Sequence, residues 1–168
     1  MSSTYEPIAT TTVSTSTNSI TFSSISSAYT DLVLVCQNGV TSGTANLSVR
    51  VGNGSADSGS NYSITYLFGN GSSAGSDRNS SQTQFLVTYY GGQDATLNAN
   101  QIIQFQNYSN TTTYKTILAR SNRASSGVDA AVGLWRSTSA INTINCYTSN
   151  GTNWATGSTF TLYGIKAE

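Results

Sequence analysis

The segment LSVRV, residues 47–51, decides how this chain folds. Its apolar residues Leu47, Val49 and Val51 alternate with two polar ones. A period of two is typical of a half-buried β-strand, because successive side chains of a strand point to opposite faces of its sheet. We therefore expect residues 47–51 to form a strand with one face in a core.

Short segments of the same kind recur on both sides of it. Each is rich in β-branched and aromatic residues and is bounded by Gly, Asn, Ser or Asp. The further predicted strands are residues 19–25, 31–36, 62–68, 84–90, 101–106, 114–120, 130–136, 141–147 and 159–165. Two stretches, 52–60 and 69–82, are predicted loops because small polar residues and Gly dominate them. About eight to ten such strands predict an all-β protein, a jelly-roll-like antiparallel β-sandwich.

The length of 168 residues predicts a single domain over residues 1–168, with 1–17 as an N-terminal arm or first edge strand. The two cysteines, Cys36 and Cys146, are isolated within predicted strands, so we expect buried free thiols. The N-terminal sequence lacks the basic region and the apolar core of a secretory signal. We therefore expect synthesis in the cytoplasm.

The composition excludes several classes of function. Half of the chain is Ser, Thr, Asn or Gly, and 8% is charged. There is no His, which excludes Ser-His and Cys-His mechanisms and removes the commonest metal ligand. Seven basic and seven acidic residues without a basic cluster indicate neither a nucleic-acid nor a membrane partner. We expect a non-enzymatic protein without a cofactor.

The low charge also bears on assembly. Natural sheets often protect their edge strands with Lys and Glu, and this chain has few of either. Such edges are commonly covered by loops of the chain or by other subunits. The composition therefore favours self-association, for example as a trimer, or docking on a larger particle.

Two acidic residues, Asp57 and Asp77, are candidate ligand-binding residues in the predicted loops. A calcium loop normally supplies several carboxylates, and each of these loops supplies one. Turn formation is the favoured interpretation, because Asp commonly bonds to the backbone two residues further on. A glycan depolymerase would need two paired carboxylates, which the sequence does not indicate.

Sugar binding is the other candidate chemistry. Carbohydrate sites combine an exposed aromatic face with nearby amides or carboxylates. Trp154, with Asn153 beside it in the loop 150–158, is the best candidate for an exposed aromatic. The aromatic residues of the predicted strand 62–68 share one parity, so we expect them in the core.

Several longer strings resemble a family of small virion proteins of tailed phages, typically marine phages and those of cyanobacteria. The strings lie at residues 5–13 (YEPIATTTV), 19–25 (SITFSSI), 28–36 (AYTDLVLVC), 60–81 (SNYSITYLFGNGSSAGSDRNSS), 107–121 (NYSNTTTYKTILARS), 127–144 (GVDAAVGLWRSTSAINTI) and 157–167 (GSTFTLYGIKA). The resemblance spans nearly the whole chain. Its motifs describe strands and turns, so no catalytic residue comes with it.

The resemblance implies an oligomeric β-sandwich on the virion surface. Its partners would be capsid or tail proteins and further copies of the chain. We expect a head decoration protein of the cement type. The alternative is a module of a tail fibre or other appendage that binds a host receptor or glycan.

Overall fold

The computed structural model describes residues 4–166, which form strands, turns and loops. No helix long and apolar enough to cross a membrane occurs among these residues. The strands are β1 (Tyr5–Thr12), β2 (Ser19–Phe22), β3 (Asp31–Asn38), β4 (Thr44–Ala45), β5 (Leu47–Asn53), β6 (Ser55–Ala56), β7 (Tyr62–Gly69), β8 (Ala74–Gln82), β9 (Phe85–Leu86), β10 (Gln93–Asp94), β11 (Ala99–Phe105), β12 (Lys115–Arg123), β13 (Gly127–Trp135), β14 (Thr143–Thr148) and β15 (Thr159–Ile165).

These strands build two main antiparallel sheets. The large sheet has the order β1-β15-β3-β11-β12-β13-β7-β8. The small sheet has the order β2-β14-β5-β6, and β9 also pairs with β5. A separate two-stranded sheet joins β4 and β10. The predicted all-β antiparallel sandwich is thereby confirmed.

The connections follow a jelly roll. Its eight strands, in chain order, are β1, β2, β3, β5, β9, β11, β14 and β15. One sheet then reads 1-8-3-6 and the other 2-7-4-5, the order of two nested Greek keys. Near the N-terminus, β1 pairs with β15 at one edge of the large sheet.

Two hairpins are added to this jelly roll. The hairpin β7–β8 is inserted between β6 and β9, and the hairpin β12–β13 between β11 and β14. Together they extend the large sheet beyond β11, and we call these four strands the wing. The inner face of the wing is covered in part by Phe85, whose ring would collide with a Cβ added at Gly133.

The core lies between the two sheets. Leu47, Val49 and Val51 are fully buried there, which confirms the parity predicted for residues 47–51. The largest fully buried side chains include Trp154, Tyr62, Tyr66, Tyr108, Phe85, Phe105 and Phe160. Cys36 and Cys146 are buried free thiols, as predicted. Burial raises the pKa of Cys146 to about 12 and raises that of Cys36 as well.

Two predicted segments are wrong over most of their length, and the predicted loop 52–60 contains the end of β5 and the short strand β6. Residues 69–82 were expected to be a loop, but β8 occupies Ala74–Gln82. This edge strand has few buried side chains and is held by its ladder to β7, so no apolar alternation marks it. Conversely, only Phe85–Leu86 of the predicted strand 84–90 is a strand. The backbone N–H groups of residues 89–91 donate to the Asp129 carboxylate instead of to a ladder.

Candidate interaction surface

The outer face of the large sheet carries apolar side chains where a solvated sheet normally carries polar ones. The strand register places Ile102, Arg120, Ala130 and Leu67 in one row across β11, β12, β13 and β7. The adjacent row contains Gln104, Leu118, Val132 and Thr65. Val35 of β3 extends the first row, because it is the cross-strand partner of Ile102.

The apolar side chains of these rows are open to solvent. Leu67 is 64% exposed, Val128 58% and Val132 42%. We define the apolar patch as Val35, Leu67, Ile102, Leu118, Val128 and Val132. Several of these residues line a shallow open hollow of about 490 Å³. Single exposed apolar residues are ordinary, whereas a contiguous group marks an interaction site.

The charged side chains nearest to the centre of the apolar patch are arginines. Arg120 lies within it, and Arg78 of β8 is the cross-strand partner of Thr65 at its border. Both are exposed, and neither makes an ion pair within residues 4–166. Arg136 follows β13 and donates to Ser63 Oγ at 2.5 Å.

The carboxylates of the wing lie on its inner face. The described wing strands contain two acidic residues, Asp77 and Asp129, whose cross-strand partners are Tyr66 and Phe68 on the inner face. Side chains directly opposite each other on paired strands share a face. The outer face of the wing therefore has arginines and no carboxylate.

Asp129 anchors the loop that covers the inner face of the wing. Its buried carboxylate accepts hydrogen bonds from the backbone N–H groups of Tyr89, Tyr90 and Gly91 and from Ser121 Oγ. The ring of Phe68 stacks on Tyr89 at 5.1 Å between centroids. This anchored loop covers the inner face, so the outer face of the wing is the one left open.

The prediction that Trp154 is exposed is wrong. Trp154 is 1% exposed and packs edge to face on Phe160. The loop 150–158 folds inward because the backbone N–H of Trp154 donates to Thr17 O and its backbone forms a bridge with Val40. The indole therefore offers no face for stacking on a sugar at the surface.

Its neighbour Asn153 is half-buried and helps to hold the same loop in place. The Asn153 side chain donates to Ser16 Oγ at 2.7 Å, and its backbone carbonyl accepts from the N–H of Thr41. Through its side chain and its backbone, Asn153 thus joins three segments at this end of the sandwich.

Asp57 stabilises a turn. Its carboxylate accepts from Trp135 Nε1 at 2.7 Å, from Asn61 Nδ2 at 2.8 Å and from the Gly59 N–H at 2.8 Å. Partial burial opposes ionisation, but these hydrogen bonds outweigh it and lower the pKa of Asp57. The interpretation of Asp57 as a turn residue agrees with these contacts.

Asp77 lies on β8 and is exposed. Its carboxylate accepts from the N–H of Arg78 and from Asn79 Nδ2. No group of three His, Cys, Asp or Glu side chains able to hold a metal ion occurs within residues 4–166.

The structure does not bring the four predicted residues together. Asp57 lies by the Tyr62–Trp135 pair, at one end of the large sheet. Trp154 and Asn153 lie at the opposite end, near Gly39 at the end of β3. Asp77 is on the outermost strand of the wing.

The apolar patch is not among the sites predicted from the sequence, although the sequence contains a signal for it. In β13, the alternation places Val128, Val132 and Leu134 on one face of the strand and Ala131 and Trp135 on the other. A strand that is apolar on both parities is buried on both faces or has one face for a partner. The same test would have singled out Leu67, which has the parity opposite to the core residues of β7.

The fold and the surface define the class as a jelly-roll β-sandwich with an added wing and an open apolar face. No model of a known protein family matches the chain, and neither does any curated protein.

Proposed function

We propose that the chain is a non-enzymatic structural protein on the surface of a tailed-phage virion, where it decorates the head as an oligomeric cement-type protein. The observation that carries the proposal is the exposed apolar patch on the outer face of the large sheet. The resemblance of the sequence to small phage virion proteins supports the same function.

The apolar patch suits attachment to a broad, preformed surface. Each Å² of apolar area removed from water contributes roughly 25 cal/mol. The patch is carried by paired strands instead of loops, so little conformational entropy is lost when it docks. Leu67, Val128 and Val132, the most exposed of its members, contribute most on burial.

The edges of the large sheet suit association between copies. β1 and β8 each pair with one neighbouring strand, so each presents unpaired backbone groups along its free side. β8 is nine residues long and largely exposed. Pairing or covering of these edges by further copies would give the proposed oligomer, such as a trimer.

Copy number per particle tests the proposal. Purified virions would be digested and the chain quantified by mass spectrometry against the major capsid protein. Hundreds of copies per particle support head decoration. A handful would contradict decoration and favour an appendage, and none would contradict a virion function altogether.

One observation favours the alternative, an appendage module that binds a host glycan. Tyr89 is 41% exposed and lies 5.7 Å from the ring of Tyr66, whose cross-strand partner is Asp77. An exposed ring near an exposed carboxylate is common carbohydrate-binding chemistry. The alternative predicts that Tyr89→Ala reduces phage adsorption while Tyr114→Ala, at an exposed tyrosine outside this cluster, does not.

A further inference from the structure

We infer that the apolar patch docks on a different virion protein, whose surface presents apolar side chains bordered by carboxylates, and not on a second copy of this chain. The inference rests on the proposed function, because that function supplies the particle on which the patch docks. It goes further by naming the chemistry of the partner.

When the apolar patch is covered, the guanidinium of Arg120 needs a hydrogen-bond acceptor. Arg120 lies in one row with Ile102 and Leu67, so a partner that covers those side chains also covers its guanidinium. A guanidinium removed from water is costly unless it is paired. It has five N–H donors in a planar fork that matches a carboxylate. The partner therefore carries a carboxylate opposite Arg120.

The border of the apolar patch carries positive charge. Arg78 and Arg136 flank the Thr65–Val132 side of the patch. Arg78 is exposed without an ion pair among the described residues, so it is available for a second carboxylate. The apolar centre with a positive rim fits an apolar centre with a negative rim.

The same charges oppose a symmetric contact between two copies. In an isologous interface the same surface comes from both copies, so each side brings the arginines of its outer face. The wing offers no carboxylate to pair with them, because Asp77 and Asp129 are on its inner face. The carboxylate of Asp31, on the outer face at the start of β3, already accepts a hydrogen bond from the backbone N–H of Asn107. Juxtaposed like charges oppose association.

The test measures binding of the purified protein to particles of the phage grown without this chain. Leu67→Asp places a carboxylate in the patch, and Arg120→Glu reverses its charge. Thr21→Asp is the matched control, because Thr21 is exposed on β2, on the outer face of the small sheet. Circular dichroism of each variant establishes that it is folded.

We expect Leu67→Asp to weaken binding about 100-fold and Arg120→Glu about 30-fold, as for central residues of an interface. Thr21→Asp should remain within about threefold of the unmodified protein. Raising NaCl from about 50 to 500 mM should weaken binding of the unmodified protein about tenfold, and that of Arg120→Gln by less.

Three outcomes overturn the inference, and they can be told apart. If the chain is present in virions but Leu67→Asp and Arg120→Glu bind like the unmodified protein, the docking surface is elsewhere and the proposed function stands. If sedimentation velocity shows an oligomer that Leu67→Asp dissociates, the occupant is a second copy. If the chain is absent from virions, the proposed function fails and the inference fails with it.

Discussion

The two outer faces of the sandwich have opposite characters. On the small sheet, Asn145 Nδ2 donates to Ser19 Oγ and Thr21 Oγ1, and the guanidinium of Arg50 lies 4.9 Å from the ring centroid of Tyr147. On the large sheet, the apolar patch has no such network. The small sheet thus satisfies its outer face with its own polar side chains, whereas the large sheet leaves apolar side chains of its outer face exposed.

This difference shows that the average composition conceals where the apolar side chains are placed. A chain in which half of the residues are Ser, Thr, Asn or Gly still collects an apolar patch on one face. The patch lies mainly on the wing, which the jelly roll itself does not require. We interpret the wing as the part that serves association.

Binding of an apolar anionic dye gives the largest expected contrast between the faces. The probe 1-anilinonaphthalene-8-sulfonate combines apolar rings with a sulfonate and should bind among the apolar side chains beside Arg120. In the double variant Leu67→Ser, Val132→Ser we expect its fluorescence to fall about tenfold, because two exposed apolar groups are lost. Thr21→Ala, on the small sheet, should leave the fluorescence unchanged. Equal loss in both variants would contradict the contrast.

The free energy of unfolding should depend on the outer face of the small sheet more than on that of the large sheet. Asn145→Ala removes the side-chain donor of the small outer face, and we expect it to lower the free energy of unfolding by about 1–2 kcal/mol. Ile102→Thr, on the large outer face, should change it by less than about 0.5 kcal/mol, because Ile102 is exposed in the free protein and β-branched residues suit strands. Urea denaturation checks both values. A cost for Ile102→Thr as large as that for Asn145→Ala would show that the patch stabilises the monomer.

The smallest expected effect is on the pH dependence of stability, which Asp57 should influence and the two outer faces should not. The folded protein holds the pKa of Asp57 below the ordinary 3.8. Its contribution to stability is therefore present above that value and is lost as the pH falls through the lower folded pKa. In Asp57→Asn, stability should fall less steeply with decreasing pH in this window. Leu67→Ala should leave the slope unchanged, and a change there would contradict this assignment.

The sequence predicted the parts of the fold that depend on local alternation. The core positions of LSVRV and the buried parity of Tyr62 and Tyr66 are as expected. The strand β8 could not be predicted, because its polar residues are held by pairing with β7 and not by burial. The inward position of Trp154 depends on bonds to Thr17 and Val40, which are far from it in the sequence.

Chemical labelling of single cysteines tests the central claim most directly. The native thiols are buried and have raised pKa values, so an introduced surface cysteine is the reactive one. Leu67→Cys reports on the large outer face and Thr21→Cys on the small one. We predict that both react with a maleimide in the free protein, and that in virions Leu67→Cys is protected about tenfold or more while Thr21→Cys is not. Unchanged labelling of Leu67→Cys in virions that contain the protein would contradict the claim.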